Sequence, residues 1–398
     1  MKRHLIGIGG VGMSALATAL LKLGDEVTGA DRSLDTPNVR FLRSLGAAVF
    51  PDDGSGVDAS TDEVVVSTAI EAGNPGLLRA KELGIPVTHR AKALARALSG
   101  YKLVAVVGTC GKSSVTAILG HILAECGLDP MCVNGANVVG WEGAVRFGRG
   151  EYAVAEVDES DKSLVAFRPY AAIVTNASAD HYSKEEMDEV FDAFVKDLPG
   201  PLVDARGETY PPQAYERQNA SLAVRMAVLL GCDRAVAERA AAGFRGVERR
   251  LQRYAGDVYD DYAHNPEKLR AMWLTLAERH PGGVCAVWRP HGYGPLRKMA
   301  DALAAMFDEV VRPCDRLLLL PVYDAGGTAD RSVNSDALAA RLRPGACELV
   351  DGLDAAYEWC ATHCGDYEAF VTCGARDPGL PALAARISEA RLREAERT

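Results

Sequence analysis

The sequence has no uninterrupted run of 18 apolar residues, and its start lacks the apolar segment and small-residue cleavage site of a signal peptide. We therefore expect no membrane span and a cytoplasmic location. Positive charge is also in deficit, because 44 lysines and arginines stand against 54 aspartates and glutamates. This balance argues against a protein that binds nucleic acid through a broad basic surface, although it is compatible with a local basic pocket for a small anion.

Cysteine spacing gives no metal-binding framework. The ten cysteines are scattered along the chain, and none of them forms a CxxC pair. The nearest group is Cys360, His363 and Cys364, and two cysteines with one histidine on a single short segment are more often incidental than a metal site. We expect a reduced protein.

Length and residue patterning predict the fold class. At roughly 100–200 residues per domain, 398 residues correspond to two to four domains. Strand-like apolar runs precede amphipathic helical runs repeatedly, for example residues 4–8 before 14–23 and 103–107 before 114–126, and this alternation is typical of an α/β fold with largely parallel sheets. Helical runs give way to strands near Gly100 and Gly246, so we predict three domains, at 1–99, 100–248 and 249–398.

The sharpest motif is a glycine turn between a strand and a helix. An apolar run at 104–107 leads into Gly108-Thr109-Cys110-Gly111-Lys112-Ser113-Ser114. In such a turn the backbone N–H groups face a phosphate, Lys112 adds positive charge and the Ser113 hydroxyl can bind Mg²⁺. The ordinary P-loop would place a glycine at position 106, where this chain has Val106, so the spacing here is tighter. An incidental glycine turn with a surface lysine is the less favoured interpretation.

A second glycine motif opens the chain. Residues 7–12 read Gly-Ile-Gly-Gly-Val-Gly, and Asp31 follows 19 residues after Gly12. This spacing fits a dinucleotide fingerprint, in which the acidic residue meets a ribose hydroxyl. The same turn would serve any nucleotide diphosphate, or it would simply allow tight packing of helix on strand. Two such motifs on one chain predict two phosphate-bearing ligands, and a nucleotide-dependent dehydrogenase would rest on this motif alone.

Acidic and imidazole side chains follow the next two predicted strands. An acidic cluster extends from Glu156 to Asp161, and Asn176, Asp180 and His181 follow the strand at 171–175. Because the carboxyl ends of parallel strands meet at one edge of a sheet, these groups would converge on the phosphates and hold Mg²⁺. The alternatives are a solvated helix N-terminus for the acids and a lone loop histidine for His181.

Taken in order, these motifs resemble those of the Mur ligase family, ATP-dependent enzymes that form amide bonds in cell-wall precursor synthesis. The resemblance covers nearly the whole chain. It extends to residues 66–70, 74–75, 244–250, 260–266, 290–291 and 322–326. The family implies an α/β architecture of three domains: a Rossmann-like N-terminal domain for a UDP-sugar, a central P-loop ATPase domain, and a Rossmann-like C-terminal ligase domain.

The resemblance also implies a reaction. ATP phosphorylates a substrate carboxylate, and an amine attacks the acyl phosphate to give an amide, ADP and phosphate. The implied carboxylate is that of a UDP-N-acetylmuramate-type acid, and the implied amine is an amino acid, L-alanine, in peptidoglycan precursor synthesis. ATP and Mg²⁺ are the implied cofactors, and the partners are small molecules only.

Residue roles are implied at the positions that match the family motifs. Catalytic roles fall to Lys112, Glu156, His181 and Arg250, and metal binding falls to Ser113, Glu156 and His181. ATP binding falls to Gly108, Thr109, Gly111, Lys112, Ser113, Ser114, Asn219, Arg250 and Asp261. UDP-sugar binding falls to Gly9, Gly10, Val11, Gly12, Ser14, Asp31 and Ser67, and amino-acid binding falls to Tyr262, His264 and His291.

The chain departs from the family pattern in three places. Cys110 stands where relatives usually have histidine or asparagine, and Ser113 replaces a threonine but keeps the hydroxyl. L-alanine-adding members carry two arginines that clamp the amino-acid carboxylate, and this chain has Gly292 and Pro295 there, with Arg289 and Arg297 nearby as potential substitutes. Asn219 follows His181 by only 38 positions, so an antiparallel β segment common in relatives is expected to be missing.

Two alternatives to single-amino-acid ligation follow from these departures. One is a ligase that joins a preformed peptide to the same sugar acid. The other is a non-catalytic protein with a Mur-like scaffold that holds ATP or a UDP-sugar. The retention of Lys112, Ser113, Glu156, His181 and Arg250 argues against the second, and the missing arginines argue for it.

Overall fold

The computed structural model describes residues 1–158, 163–177, 184–324 and 330–395, which form three β-sheets flanked by helices. The predicted site residues Asp161, Asp180 and His181 lie outside this described part of the chain.

The first sheet has the strand order β3-β2-β1-β4-β5, and all neighbouring strands are parallel. Its strands are β1 (Lys2–Ile6), β2 (Glu26–Asp31), β3 (Ala48–Pro51), β4 (Glu63–Val66) and β5 (Val87–His89), and its helices are α1 (Val11–Lys22), α2 (Pro37–Ser44), α3 (Pro75–Glu82) and α4 (Arg90–Ala97). Helices α2 and α3 begin where a proline opens the first turn and the side chain of Thr36 or Asn74 caps it. The strand order reverses between β1 and β4, which is where parallel sheets form ligand crevices.

The second sheet has the order β11-β10-β6-β9-β7-β8, and its only antiparallel pair among the described residues is β7 with β8. Its strands are β6 (Lys102–Val107), β7 (Met131–Val133), β8 (Val145–Arg146), β9 (Tyr152–Glu156), β10 (Ala171–Val174) and β11 (Leu202–Asp204), and its helices are α5 (Lys112–Glu125), α6 (Lys184–Val195), α7 (Tyr215–Leu229) and α8 (Arg234–Ala242). The apolar run of β6 is buried from Leu103 to Val107, which suits a central strand covered on both faces. The glycine turn after β6 therefore lies between the ends of β9 and β10.

The third sheet has the order β12-β13-β17-β14-β15-β16, with β12 antiparallel to β13 and the other pairs parallel. Its strands are β12 (Gln252–Tyr254), β13 (Val258–Asp261), β14 (Val284–Trp288), β15 (Arg316–Leu319), β16 (Cys347–Leu349) and β17 (Ala369–Cys373). Its helices are α9 (Pro266–Arg279), α10 (Tyr293–Val310), α11 (Ser335–Ala339), α12 (Leu353–Thr362) and α13 (Gly379–Ala395). The carboxyl ends of β13, β17 and β14 are thus side by side.

The chain divides into two compact units, residues 1–209 with 217–247, and residues 210–216 with 248–398. The first unit contains two sheets because their cores merge: Leu16 and Leu20 of α1 belong to the same buried cluster as Leu103 and Phe191. In the second unit, Trp273 and Trp288 are fully buried in the core. The predicted α/β class with three sheet-containing domains is confirmed, and each sheet lies within one predicted range, whereas the domain boundaries themselves stay predictions.

Two further expectations concern particular segments. None of the helices in the described residues is long and apolar enough to cross a membrane. In the described stretch from 184 to 218, the elements are α6, β11, a 3-10 turn at Pro212–Ala214 and the start of α7, so no extra antiparallel segment occurs in that stretch.

Candidate active site

A cavity of about 930 Å³ opens in the first compact unit. Its walls come from the glycine turn after β1, the ends of β2 and β4, the start of α4, and the ends of β7 and β9. This volume lies in the range of roughly 300–1,000 Å³ that is usual for ligand sites. Among the predicted UDP-sugar residues, those that line the cavity are Gly9, Gly10, Val11, Gly12, Asp31 and Ser67.

The glycine turn owes its shape to Gly7, which has φ of 74° and accepts a hydrogen bond from the Gly10 N–H over 3.1 Å. Gly10 then caps α1 without any side-chain hydrogen bond. Ser14 differs from the other predicted residues, because its side chain is buried and its hydroxyl donates to the Val11 carbonyl over 2.9 Å. Its structural position is therefore inside α1, not on the cavity wall.

Asp31 holds the glycine turn in place. One carboxylate oxygen accepts the Gly9 N–H over 2.8 Å, and the other accepts the Ser33 N–H over 3.0 Å. The Asn38 side chain adds a hydrogen bond to the Gly9 carbonyl. The carboxylate thus has a clear structural role in addition to the predicted contact with a ribose.

Arg90 is a cavity residue that the sequence analysis missed. It is the first residue of α4 and lines the cavity, and its Nη2 lies 3.9 Å from a carboxylate oxygen of Asp158. A Cβ atom on Gly12 would come within 2.9 Å of Arg90 Nη1, so the glycine leaves room for the guanidinium. An arginine in the first turn opposes the helix dipole, and that unfavourable placement is the sequence signal that could have identified it.

The second glycine turn has the backbone that a phosphate cradle needs. Gly108 has φ of 130° and Gly111 has φ of 85°, and Gly111 caps α5 with no side-chain hydrogen bond. The first N–H groups of this 14-residue helix are therefore directed out of its N-terminus, where an anion is stabilised. Lys112 Nζ donates to the Gly108 carbonyl over 2.6 Å, which folds the ammonium back over the turn. Thr109 and Ser113 are almost fully buried, while Ser114 lies further along α5.

Asn176 braces this turn, a role that the sequence analysis did not assign. Its Oδ1 accepts the Thr109 hydroxyl over 2.6 Å and the Cys110 N–H over 2.9 Å, and its Nδ2 donates to the Cys110 carbonyl over 3.1 Å. The neighbouring Thr175 hydroxyl donates to the same carbonyl over 2.6 Å. The end of β10 thus fixes the conformation of the phosphate turn.

Replacing Asn176 with alanine should loosen the turn without removing any predicted ligand of ATP. Three hydrogen bonds would be lost, and we expect kcat/KM for ATP to fall by about 10- to 100-fold, because about 1–3 kcal/mol of orientation is lost. Steady-state kinetics against ATP checks this, with the circular dichroism spectrum as the control for folding. An unchanged kcat/KM would show that the turn keeps its shape without the brace.

Glu156 and Asn219 come from two elements that lie beside the turn. Glu156 ends β9 beside β6, and its Oε2 accepts the Gly135 N–H over 2.8 Å. The side chain of Asn219, on α7, is so close to the turn that a Cβ on Gly111 would lie 2.6 Å from its Oδ1. No group of three acidic, histidine or cysteine side chains in the described ranges could hold a metal, and the predicted third member, His181, is outside those ranges.

In the second compact unit, the predicted amino-acid residues form one cluster. The rings of His264 and His291 are 4.8 Å apart, and those of Tyr262 and His264 are 5.5 Å apart. Arg250 places its guanidinium carbon 5.1 Å from the centre of the Tyr262 ring. The cluster therefore gathers three of the predicted residues and Arg250 at the carboxyl edge of the third sheet.

Burial sets the protonation of this cluster. It lowers the pKa of His264 to about 4 and also lowers the pKa of His291, to which the charge of Arg376 adds. Burial raises the pKa of Asp261 to about 6, against the opposing effects of the Arg250 charge and of hydrogen bonds from the Leu251 and Ala263 N–H groups. Both imidazoles are thus neutral at pH 7 and can accept a proton or a hydrogen bond.

The neutral state of His264 predicts a pH-dependent stability. The unfolded chain binds a proton near pH 6.5, whereas the folded chain does so only near pH 4. As pH falls from 6.5 towards 4, the unfolded state binds more protons, so the free energy of unfolding falls by at most about 3 kcal/mol. His264→Gln should flatten this loss in urea unfolding followed by fluorescence of the buried Trp273 and Trp288. If the free energy of unfolding fell equally steeply with pH in both proteins below pH 6.5, the assignment would be contradicted. Above pH 7.5 the two proteins should show the same pH dependence, because His264 is neutral there in both the folded and the unfolded chain.

The structure also shows which arginines lie near Gly292 and Pro295, the positions where the family has its two arginines. Arg289 pairs with Asp377 over 2.6 Å, and Arg297 pairs with Asp330, so both guanidinium groups are engaged with carboxylates of the protein. A different residue, Arg376, comes close to the gap: a Cβ on Gly292 would lie 3.8 Å from its Nη1.

Comparisons with known proteins agree with this arrangement. The family models described as Mur ligase family, catalytic domain, and Mur ligase, glutamate ligase domain, match residues 2–102 and 249–376. A UDP-N-acetylmuramate–L-alanine ligase from Paenarthrobacter aurescens is 34% identical, with 94% of each chain covered, and one from Rhizobium etli is 31% identical, with 86% of each covered. The fold is similar to that of a UDP-N-acetylmuramate–alanine ligase from Thermotoga maritima, with a TM-score of 0.81 and 23% identity over both whole chains. It is also similar to that of a murein peptide ligase from Psychrobacter arcticus, with a TM-score of 0.65 and 19% identity over 98% of each chain.

Proposed function

The chain belongs to the Mur ligase family, and from this premise we propose that it is an ATP-dependent ligase that joins an amino acid to the carboxylate of UDP-N-acetylmuramate or a similar UDP-sugar acid. The observation that carries the proposal is the braced phosphate turn between β6 and α5, with Glu156 at the end of the adjacent strand. The curated relatives named above are L-alanine ligases, so L-alanine is the first candidate for the amine.

The described residues suit the phosphoryl-transfer step. The phosphates of ATP would lie at the N-terminus of α5, where backbone N–H groups and Lys112 offset their charge. Ser113 and Glu156 provide the oxygen ligands that Mg²⁺ prefers, and the bound ion would neutralise charge on the β- and γ-phosphates. A carboxylate and the γ-phosphate are both anions, so this positive environment is what permits them to approach.

The reaction then proceeds through an acyl phosphate. A carboxylate oxygen of the sugar acid bonds to the γ-phosphorus as ADP leaves. The amine nitrogen next attacks the acyl carbon, phosphate leaves, and the nitrogen loses a proton to give the amide. The neutral imidazoles of His264 and His291 can accept a hydrogen bond from that nitrogen, and the proton passes to the departing phosphate or to water, because burial lowers the pKa of both imidazoles.

We place the reaction in the cytoplasm. All ten cysteines are free thiols, as suits a reducing compartment. In the first unit, the glycine turn at residues 7–12 falls inside the Mur ligase match, which supports UDP-sugar binding over hydride transfer as its role.

One experiment tests the function directly. The full chain is incubated with ATP, Mg²⁺, UDP-N-acetylmuramate and a panel of single amino acids and short peptides, and phosphate release is measured. Release that depends on both the sugar acid and an amino acid is the expected result. Release with peptides alone would favour the peptide ligase, for which the glycine and proline at 292 and 295 are the motivating observation. No release with any amine would favour a binding protein and contradict the proposal.

A further inference from the structure

We propose that Arg376 binds the carboxylate of the incoming amino acid and so selects amines with a free carboxylate beside the reacting nitrogen. The inference rests on the proposed ligase function and identifies a specificity-determining residue for it. All the residues on which it depends belong to the second compact unit.

The fold places Arg376 beside the candidate amino-acid site, close enough for its charge to act on His291. It follows β17, the strand between β13 and β14. The turn after β13 contributes Tyr262 and His264, and the turn after β14 contributes His291. Ligands of parallel α/β sheets bind at the carboxyl edge, which is where these three turns meet.

The guanidinium of Arg376 lies beside a position that has no side chain. Gly292 precedes α10 and has no side chain, and a Cβ there would lie 3.8 Å from Arg376 Nη1. The Arg376 side chain is exposed, so its charged end is accessible from solution.

The backbone on both sides of Arg376 is held firmly. Arg249 Nη2 donates to the Gly374 carbonyl over 2.6 Å. On the other side, Asp377 accepts Arg289 Nη1 over 2.6 Å and the Gly379 N–H over 2.8 Å. These neighbours use their own side chains to fix the turn, and the Arg376 guanidinium takes no part in it. A fixed backbone lowers the entropy cost of binding through this side chain.

The charge of Arg376 is available to a ligand. In the described part of the chain Arg376 forms no ion pair, whereas four other arginines of the same unit are paired with carboxylates. These pairs are Arg249 with Asp260, Arg289 with Asp377, Arg297 with Asp330 and Arg331 with Asp324. The adjacent imidazoles of His264 and His291 are uncharged at pH 7, because burial lowers their pKa. A carboxylate that enters this edge therefore meets a guanidinium that is not already neutralised.

The chemistry fits an α-amino acid. A planar guanidinium donates two parallel N–H bonds to the two oxygens of a carboxylate. The amine on the adjacent carbon would then lie on the side of the neutral imidazoles, which accept hydrogen bonds. The corresponding carboxamide has no charge and offers one acceptor oxygen in place of two, so it should bind much more weakly.

The test compares L-alanine with L-alaninamide in the phosphate-release assay, using the full chain with ATP and UDP-N-acetylmuramate. In the wild type, L-alanine should be preferred strongly over L-alaninamide. In Arg376→Ala, KM for L-alanine should rise by about 10- to 100-fold, with kcat and the KM values for ATP and the sugar acid within about threefold of the wild type. The preference for L-alanine over its amide should nearly vanish, and Arg376→Lys should fall between the two. Arg253→Ala is the matched control, because Arg253 is an exposed arginine that pairs with Asp257 before β13.

The outcomes of this test distinguish a failure of the inference about Arg376 from a failure of the proposed ligase function. If Arg376→Ala turned over with the wild-type KM for L-alanine and the wild-type preference for L-alanine over its amide, that result would contradict the role of Arg376 without contradicting the ligase function. Turnover only with peptides whose reacting residue lacks a free carboxylate would do the same. If no amine supports phosphate release, the ligase proposal fails, and saturation-transfer NMR of L-alanine on wild type and Arg376→Ala then decides the inference: equal saturation contradicts it, and loss in the variant supports it.

Discussion

Lys112→Ala is expected to lower kcat by about 10³-fold while leaving the protein folded. The Lys112 ammonium lies over the phosphate turn, 2.6 Å from the Gly108 carbonyl, where it would meet the phosphates of ATP. Its loss removes charge stabilisation that grows as the γ-phosphoryl group is transferred. The cost to stability is small, about 1 kcal/mol, because the hydrogen bond to the Gly108 carbonyl comes from a partly exposed side chain.

The measurement is phosphate release under saturating substrates, alongside the thermal midpoint. Lys102→Ala is a suitable control, since this exposed lysine begins β6, at the opposite end of the same strand, and pairs with Glu151 over 2.8 Å. It should keep kcat within about twofold. If Lys112→Ala kept more than a tenth of the wild-type kcat, ATP would have to bind elsewhere.

Much of the fold is predictable from local patterns. The run at 284–288 coincides with β14, and the predicted strand at 103–107 differs from β6 by one residue, because buried parallel strands are continuous apolar runs. The number of compact units cannot be predicted from local patterns. Leu98 and Leu103 lie on opposite sides of a predicted domain boundary, yet both belong to one buried cluster, which depends on how the two sheets pack.

The residues of the candidate site also fall into two groups, those that local sequence patterns predict and those that depend on long-range contacts. The glycines, Lys112 and Glu156 can be identified from their spacing along the chain, because a phosphate turn is a local structure. Asn176 lies 66 residues from Cys110 and contacts it only because β10 pairs with β6. Arg376 is a similar case, since it approaches Gly292 through the order β13-β17-β14. Long-range register, not residue type, determines these contacts.

Gly108→Ala tests how tightly that register constrains the phosphate turn. A Cβ on Gly108 would lie 2.2 Å from the Thr175 hydroxyl oxygen and 3.0 Å from both the N and the O of Asn176, and the φ of 130° is one that alanine rarely adopts. The turn must therefore move away from β10. We expect stability to fall by about 2–4 kcal/mol and kcat/KM for ATP to fall by at least about 100-fold.

Gly127→Ala is the control for the strain of an alanine at positive φ elsewhere in the β6–α5 unit. Gly127 follows α5, its φ is 80°, and a Cβ there would meet nothing within 4 Å. This variant pays the cost of a left-handed alanine, about 1–2 kcal/mol, without touching the turn, so its kcat/KM should match the wild type. If both alanine variants lost the same activity, strain in the β6–α5 unit would explain the defect. A loss confined to Gly108→Ala would locate the defect in the phosphate turn itself, where the added methyl group meets the end of β10 and the backbone φ does not suit alanine.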